Sequence, residues 1–409
     1  MNIYTNRFKK HHNNTNVPNV NYVTNYQSNE LEEKIHYYGW SRVKKELYNL
    51  SKELNIIIVD YVDNYFYSID NSISKPWIGI IHHTTSTFSS NNITNLFKNN
   101  TFIVSLKNCI GLISLSEYNK YNIVTELKKV YYDNIPVHVF KHPLPPTFNK
   151  YFTFKNFDDN CPCIYSIGGW MRNPYSIYNI NITYNDTPVT KYRLKGQLMD
   201  QYFPPHNIDY SDIINNYVIN KSIDIINEHN NIIGFSRPNN DVNYYIKYLL
   251  DYIYKTITNP DDVDYEKIHD VLVTNHNSIL TEDYLSNDQY LNLLTSNIIF
   301  ADYIDCSASN TIVECIATTT PIIVNRHPAI VEYLGDNYPL YIDKIYNEST
   351  NTLELTRINV MKAHNYLYHI RLNNDFYIES FISNIKNILD HMKQPIRKNI
   401  RTHIKKFIN

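Results

Sequence analysis

A chain of 409 residues with 38 basic and 40 acidic side chains has a formal net charge of -2, so it has no global positive field for holding nucleic acid or an anionic membrane surface. The length suits one large domain or two ordinary ones, and the alternation of strands and helices along the chain favours two. Its five cysteines (Cys109, Cys161, Cys163, Cys306, Cys315) are odd in number and lack Cys-x-x-Cys spacing, which argues against a disulfide framework or a zinc site and fits a reducing compartment.

No run reaches the roughly 18 to 20 apolar residues of a membrane span, and no apolar N-terminal core marks a signal peptide. The expectation is a cytoplasmic protein with no membrane span and no nucleic-acid partner. Residues 1–30, with Lys9-Lys-His-His-Asn-Asn-Thr-Asn16, are polar and without periodicity, so a mobile tail is expected there.

A first domain is expected over residues 31–150. After Gly39, the positions Trp40, Val43, Leu47 and Leu50 recur at helical spacing. Strand-like runs follow at Asn55–Asp60, Trp77–His82, Ile110–Leu115 and Ile135–Phe140, alternating with helical patterns at Ile93–Phe97 and Glu117–Val130. Apolar strands separated by helices indicate an α/β fold, a parallel sheet covered on both faces. His142-Pro-Leu-Pro-Pro146 then stops regular structure, and residues 151–160 read as a linker.

The second series, expected over 161–358, opens with strands Cys163–Gly168 and Lys191–Lys195. Helices are expected at 211–227, 242–257 and 282–294, then a strand over Ile298–Tyr303. From about residue 359 to 409 the pattern is helical, and those helices are expected to pack back on the first domain.

The most informative stretch is Ala301–Gly335. An apolar strand, a Ser/Asn-rich turn, a helix ending before Pro321, a second strand and a helix closed by Gly335 form a βαβα unit. Ser309 or Asn310 is the N-cap candidate of the first helix, which leaves free backbone N–H groups and the positive dipole end facing a crevice suited to a diphosphate. Glu314 lies one turn in, where a carboxylate takes ribose hydroxyls; the plainer reading makes it an ordinary helix-surface carboxylate.

This stretch resembles the donor-binding motif of GT-B glycosyltransferases, particularly retaining enzymes of glycosyltransferase family 4. In that motif two glutamates separated by seven residues introduce a helix and a following apolar strand. Glu314 takes the place of the second glutamate and Cys306, preceded by Asp305, that of the first. The resemblance implies two Rossmann-like, doubly wound domains facing a cleft, with a helical C-terminus. Ser166-Ile-Gly-Gly-Trp-Met-Arg172 resembles the loop that meets the diphosphate, through Gly168, Gly169 and Arg172. Lys195 is then the second cation, and His82, rather than His83, reaches the donor sugar.

The same resemblance implies retaining transfer from a nucleotide-diphosphate sugar, with no cofactor. No Asp-x-Asp motif stands in a loop near the crevice, the Asp-Asp pairs at Asp158 and Asp261 lying in polar segments away from it, so metal independence and no metal site are expected. Donor contacts fall to Cys306, Ser307, Ser309, Asn310, Thr311 and Glu314. The acceptor, a glycan, lipid or protein, is chosen by loops around Gly39, Thr84–Phe88 and His142. Two other readings stand beside it: an inactive GT-B-like binding or scaffolding protein, and a sugar-nucleotide epimerase. Glu332 is expected to cap a helix or form a salt bridge rather than touch ligand. No sequence signature pairs Cys306 with a histidine.

Overall fold

The computed structural model describes residues 38–69, 71–86, 92–144, 150–159, 162–168, 171–172, 176–194, 279–282, 285–350 and 352–393. The expected tail, the helices at 211–227 and 242–257, and the residues Gly169 and Lys195 lie outside them.

The first half runs α1 (Tyr38–Leu54), β1 (Ile57–Val59), α2 (Val62–Ser68), β2 (Trp77–Ile81), α3 (Ile93–Leu96), α4 (Asn100–Leu106), β3 (Cys109–Ser114), α5 (Glu117–Lys129) and β4 (Val137–Val139). Its strands pair in the order β1-β2-β3-β4, all parallel. Because side chains alternate along a strand, each strand feeds two cores. Ile57, Val59, Trp77, Ile81 and Leu112 pack on one face with Phe66, Phe102 and Leu127. Ile58, Ile78, Ile80 and Ile113 pack on the other with Trp40, Val43, Leu47 and Leu50 of α1. The strand leaves no room for a side chain at Gly79, where a Cβ would lie 2.3 Å from Val62 Cγ2.

The second half contains α6 (Phe154–Asp159), β5 (Cys163–Ser166), α7 (Ser176–Asn179), β6 (Asn181–Tyr184), β7 (Thr187–Pro188), β8 (Thr190–Leu194), β9 (Ile279–Glu282), α8 (Asn287–Ser296), β10 (Ile298–Ala301), α9 (Asn310–Thr318), β11 (Ile322–Val324), α10 (Pro328–Leu334), α11 (Ile342–Ile345), β12 (Tyr346–Asn347), β13 (Thr352–Leu355), α12 (Arg357–Arg371) and α13 (Ile378–Lys393). Its main sheet is parallel with the order β11-β10-β5-β8-β9. From β5 the chain proceeds outward to β8 and β9, then returns to the opposite side of β5 as β10 and β11. The order therefore reverses between β5 and β10, and the carboxyl ends of those two strands are where open α/β sheets place a binding crevice.

Three local features depart from the sequence reading. The stretch read as a linker holds α6, anchored by buried Phe152 and Phe157. The helix expected from residue 282 begins at Asn287, where Ser286 and Gln289 form a capping box, and its expected first residue instead ends β9. A small mixed sheet, β12-β13-β6-β7, was not legible because strands of two and four residues carry too few positions for periodicity. Ile378, Phe381, Ile385 and Leu389 of α13 lie against α1 and the first sheet. Among the described residues no helix is long and apolar enough to cross a membrane.

Candidate functional site

The crevice is built by the loops after β5 and β10. Beyond β10, Asn325 acts as a short strand neighbour: its side chain accepts the N–H of Tyr303 at 2.8 Å and donates to the Tyr303 carbonyl at 2.8 Å. On the other side Arg172 bridges Tyr303, and the N–H of Ile304 reaches the Met171 carbonyl at 2.8 Å. These bonds carry the sheet pairing past the strand ends and fix the turn 302–309.

Arg172, expected at the diphosphate, is brought to the start of α9. Its Nη2 donates to Thr311 Oγ1 at 2.9 Å and to Ser309 Oγ at 3.3 Å, and Nη1 donates to the Ile167 carbonyl. The guanidinium lies 4.9 Å over the Tyr303 ring. Only 9% of Arg172 is exposed, its Nε has no partner, and among the described residues no carboxylate pairs with it. Gly168, with φ +76°, lies directly beneath the guanidinium, so a side chain there would be strained and would strike it.

Ser309 is the N-cap of α9, accepting the N–H of Ile312 at 3.4 Å, and Asn310 is the first helical residue. Glu314 is not a surface carboxylate. It is buried one turn into the helix and accepts the hydroxyl of Tyr290 at 2.7 Å. Its charge also reaches His142, whose imidazole is lowered by burial; bonds to Pro143 and Asn310 and the field of Glu314 oppose that shift. Residues 142, 310 and 314 thus meet where the two halves face each other.

The turn Asp305-Cys306-Ser307 contacts the first half directly. Asp305 Oδ2 accepts the Thr84 hydroxyl at 2.6 Å, and Oδ1 accepts the Tyr118 hydroxyl at 3.1 Å. Asp305 Oδ1 also lies 3.1 Å from His327 Nε2. The His327 tautomer follows from its other nitrogen: Nδ1 accepts the N–H of Ala329 at 3.2 Å, so Nε2 carries the proton toward Asp305. Burial raises the Asp305 carboxyl, but bonds from His327, Thr84 and Tyr118 outweigh it and the net shift is downward. Cys306, which had no recognised histidine partner in the sequence, has one here: Sγ lies 3.4 Å from His327 Nδ1. Burial and then the neighbouring Asp305 charge push this thiol well above its ordinary value.

His82 ends β2 with its ring stacked on Tyr61 at 4.1 Å and edge-on to Trp40 at 4.3 Å. Its Nε2 is 2.8 Å from the Asp60 carbonyl, which only accepts, so Nδ1 is left as an acceptor. Burial lowers the imidazole from 6.5 to about 3. His83 turns away and bonds Tyr61 Oη at 2.7 Å. Ser307 Oγ donates to the His82 carbonyl. Glu332 accepts the backbone N–H groups of Glu117 and Tyr118 at 2.6 and 2.7 Å, capping α5 of the other half.

Sequence reasoning missed Tyr118, His327 and Tyr290 as members of this site, gave Thr84 to an acceptor-choosing loop, and named Asp305 only as the neighbour of Cys306. It also passed over Lys191, a buried ammonium that donates to the Ile177 and Ile180 carbonyls at 2.9 and 3.0 Å and is lowered by burial to about 8. The signal available for His327 was Pro328, which marks a helix start and makes the preceding residue a cap. Nothing local identified the others.

No protein-family model matches the sequence, and no curated protein matches it. Among solved structures, similarity is found to Anabaena HepE in complex with UDP and glucose, with TM-score 0.44 and 9% identity over 86% of this chain and 76% of that one. A mutant of S. aureus TarM in complex with Fondaparinux, alpha-GlcNAc-glycerol and UDP gives TM-score 0.40 and 12% identity over 85% of this chain. The pneumococcal O-GlcNAc transferase GtfA in complex with UDP and GlcNAc gives 0.41 and 8% over 78% of this chain. The chain spans 57% of the TarM structure and 53% of the GtfA structure. No ligand passes from those proteins to this chain on likeness of that size.

Proposed function

We propose that this chain is a glycosyltransferase that moves a sugar from a nucleotide-diphosphate sugar to an acceptor, with retained configuration and without a metal. The observation that carries this reading is Arg172. A guanidinium this buried bonds carbonyl and hydroxyl oxygens and, among the described residues, no carboxylate, so no described ion pair offsets a desolvation cost of several kcal/mol. It sits at the N-terminus of a buried helix, at the point where strand order reverses. An anion with several oxygens satisfies both, and a diphosphate has the size and charge to do so.

In this reading the bond from the anomeric carbon to the diphosphate breaks, and charge grows on the leaving phosphate. Arg172 and Lys195 stabilise that charge. Losing one such preorganised group costs about 3 to 4 kcal/mol of transition-state stabilisation, against about 0.3 to 1 kcal/mol from the helix dipole. Gly168 and Gly169 allow close approach of the phosphates, Glu314 takes the ribose, and His82, kept neutral, accepts a sugar hydroxyl through Nδ1. Thermal-shift screening of the full chain against nucleotide sugars, followed by assay of released nucleoside diphosphate, tests the reading. Stabilisation with release supports it, and neither effect with any member refutes it.

A second reading, a sugar-nucleotide-binding protein without turnover, draws on Cys306. A buried, protonated thiol stands at the first glutamate position, where it cannot accept a sugar hydroxyl as a carboxylate does. Stabilisation without release on any acceptor is its signature.

A further inference from the structure

The crevice is shut by its own side chains. Ser309, Arg172 and Glu314 are each less than a tenth exposed, and in the turn that leads to them hydrogen bonds join the two halves of the chain. At their centre is Asp305, with Thr84 bonded at 2.6 Å and Tyr118 at 3.1 Å.

We propose that Asp305 is a latch: its carboxylate, held in place by His327, grips the hydroxyls of Thr84 and Tyr118, and the crevice opens only when both bonds part. Each partner is oriented for the task. Thr84 Oγ1 accepts the Ser86 N–H at 3.3 Å, which directs its own proton to Asp305. Tyr118 packs edge-on to the His327 ring at 4.9 Å, and its backbone N–H is held by Glu332 at 2.7 Å. Hydrogen bonds from hydroxyls to a carboxylate are strong, and the buried setting strengthens them further. Opening therefore exchanges these two charge-assisted bonds for water, along with the bonds that Glu332 and Ser307 make to the first half. The latch stands without the glycosyltransferase reading; its role as the gate of a donor site rests on that reading.

Cys306 reports on the latch. It adjoins Asp305 in the turn that bonds the first half and is 5% exposed, whereas Cys315 is fully buried in α9 of the second half. The experiment measures N-ethylmaleimide labelling of both cysteines by peptide mass spectrometry. It uses the full chain without ligand, as wild type, Thr84→Val, Tyr118→Phe and the double variant. Each lost hydroxyl is expected to speed Cys306 labelling by about tenfold, the effect of a charged hydrogen bond, while Cys315 is unchanged. Unchanged Cys306 labelling in the double variant overturns the latch. Equal acceleration of both cysteines also overturns it, because the contacts would then hold the second half together rather than join the two. If the double variant does not fold, the two single variants decide by the same comparison. Labelling needs no nucleotide sugar, so failure of the latch and failure of the proposed function are read separately.

Discussion

The guanidinium of Arg172 lies 4.9 Å over the ring of Tyr303 while its Nη2 donates to Thr311 at 2.9 Å. An aromatic face and a hydroxyl thus stand where a buried arginine would ordinarily find a carboxylate. That arrangement stabilises part of the charge and leaves the rest for a ligand.

The first prediction concerns stability without ligand. Replacing Arg172 by methionine removes the buried charge and keeps most of the volume, so the variant should unfold within about 1 kcal/mol of wild type or above it. It should lose all stabilisation by nucleoside diphosphates. Denaturant unfolding with and without diphosphate checks both halves of this expectation. A Met variant destabilised by several kcal/mol would mean that the arginine is a structural element satisfied by its present partners.

Tyr290→Phe tests the placement of Glu314. The substitution leaves a buried carboxylate without the hydroxyl that now donates at 2.7 Å, and should cost about 1.5 to 3 kcal/mol. Glu314→Gln in the same background should recover part of that loss, as read from chemical denaturation midpoints. Additive losses in the double variant would show that the two side chains do not meet.

A pH dependence arises from His82. Its imidazole is depressed from 6.5 to about 3 in the folded chain, so the unfolded chain binds more protons between those values. Its contribution to stability is fully present above 6.5 and is lost as pH falls from 6.5 toward about 3. His82→Asn should flatten the slope of stability against pH in that window. The downward shift of Asp305 acts at lower pH, below its ordinary value of 3.8. An unaltered slope above 3.8 would remove His82 as its source.

Cys306→Ala addresses the thiol. The bond to His327 at 3.4 Å is weak, and burial keeps the thiol protonated. The variant should therefore retain turnover within about threefold, equivalent to less than 1 kcal/mol. Loss of turnover by orders of magnitude, measured with an active nucleotide sugar, would make the thiol a nucleophile.

The βαβα unit was legible because its strands are continuous apolar runs and its helix starts at a serine cap. The burial of Glu314 is a different case. It was not legible in practice: Thr311, Glu314 and Thr318 share one helix face opposite Ile312, Val313, Ile316 and Ala317, the pattern of a half-exposed helix, and only the structure shows residues 311 to 318 all buried. The Asp305 contacts were not legible. Thr84 and Asp305 are 221 positions apart, and periodicity says which residues face a core, not which loops of two sheets meet. Lys191 was hidden for another reason: strand alternation identifies inward positions, but only the structure supplies the two carbonyls that allow an ammonium there.

The role given to Arg172 is decided by a paired titration of the full chain and Arg172→Ala with a panel of nucleotide-diphosphate sugars and their free diphosphates, read by calorimetry and by diphosphate release. At least one pair is expected to bind and turn over with wild type, and the variant to lose about 100-fold or more in turnover. Wild-type turnover retained by Arg172→Ala would contradict the proposed site.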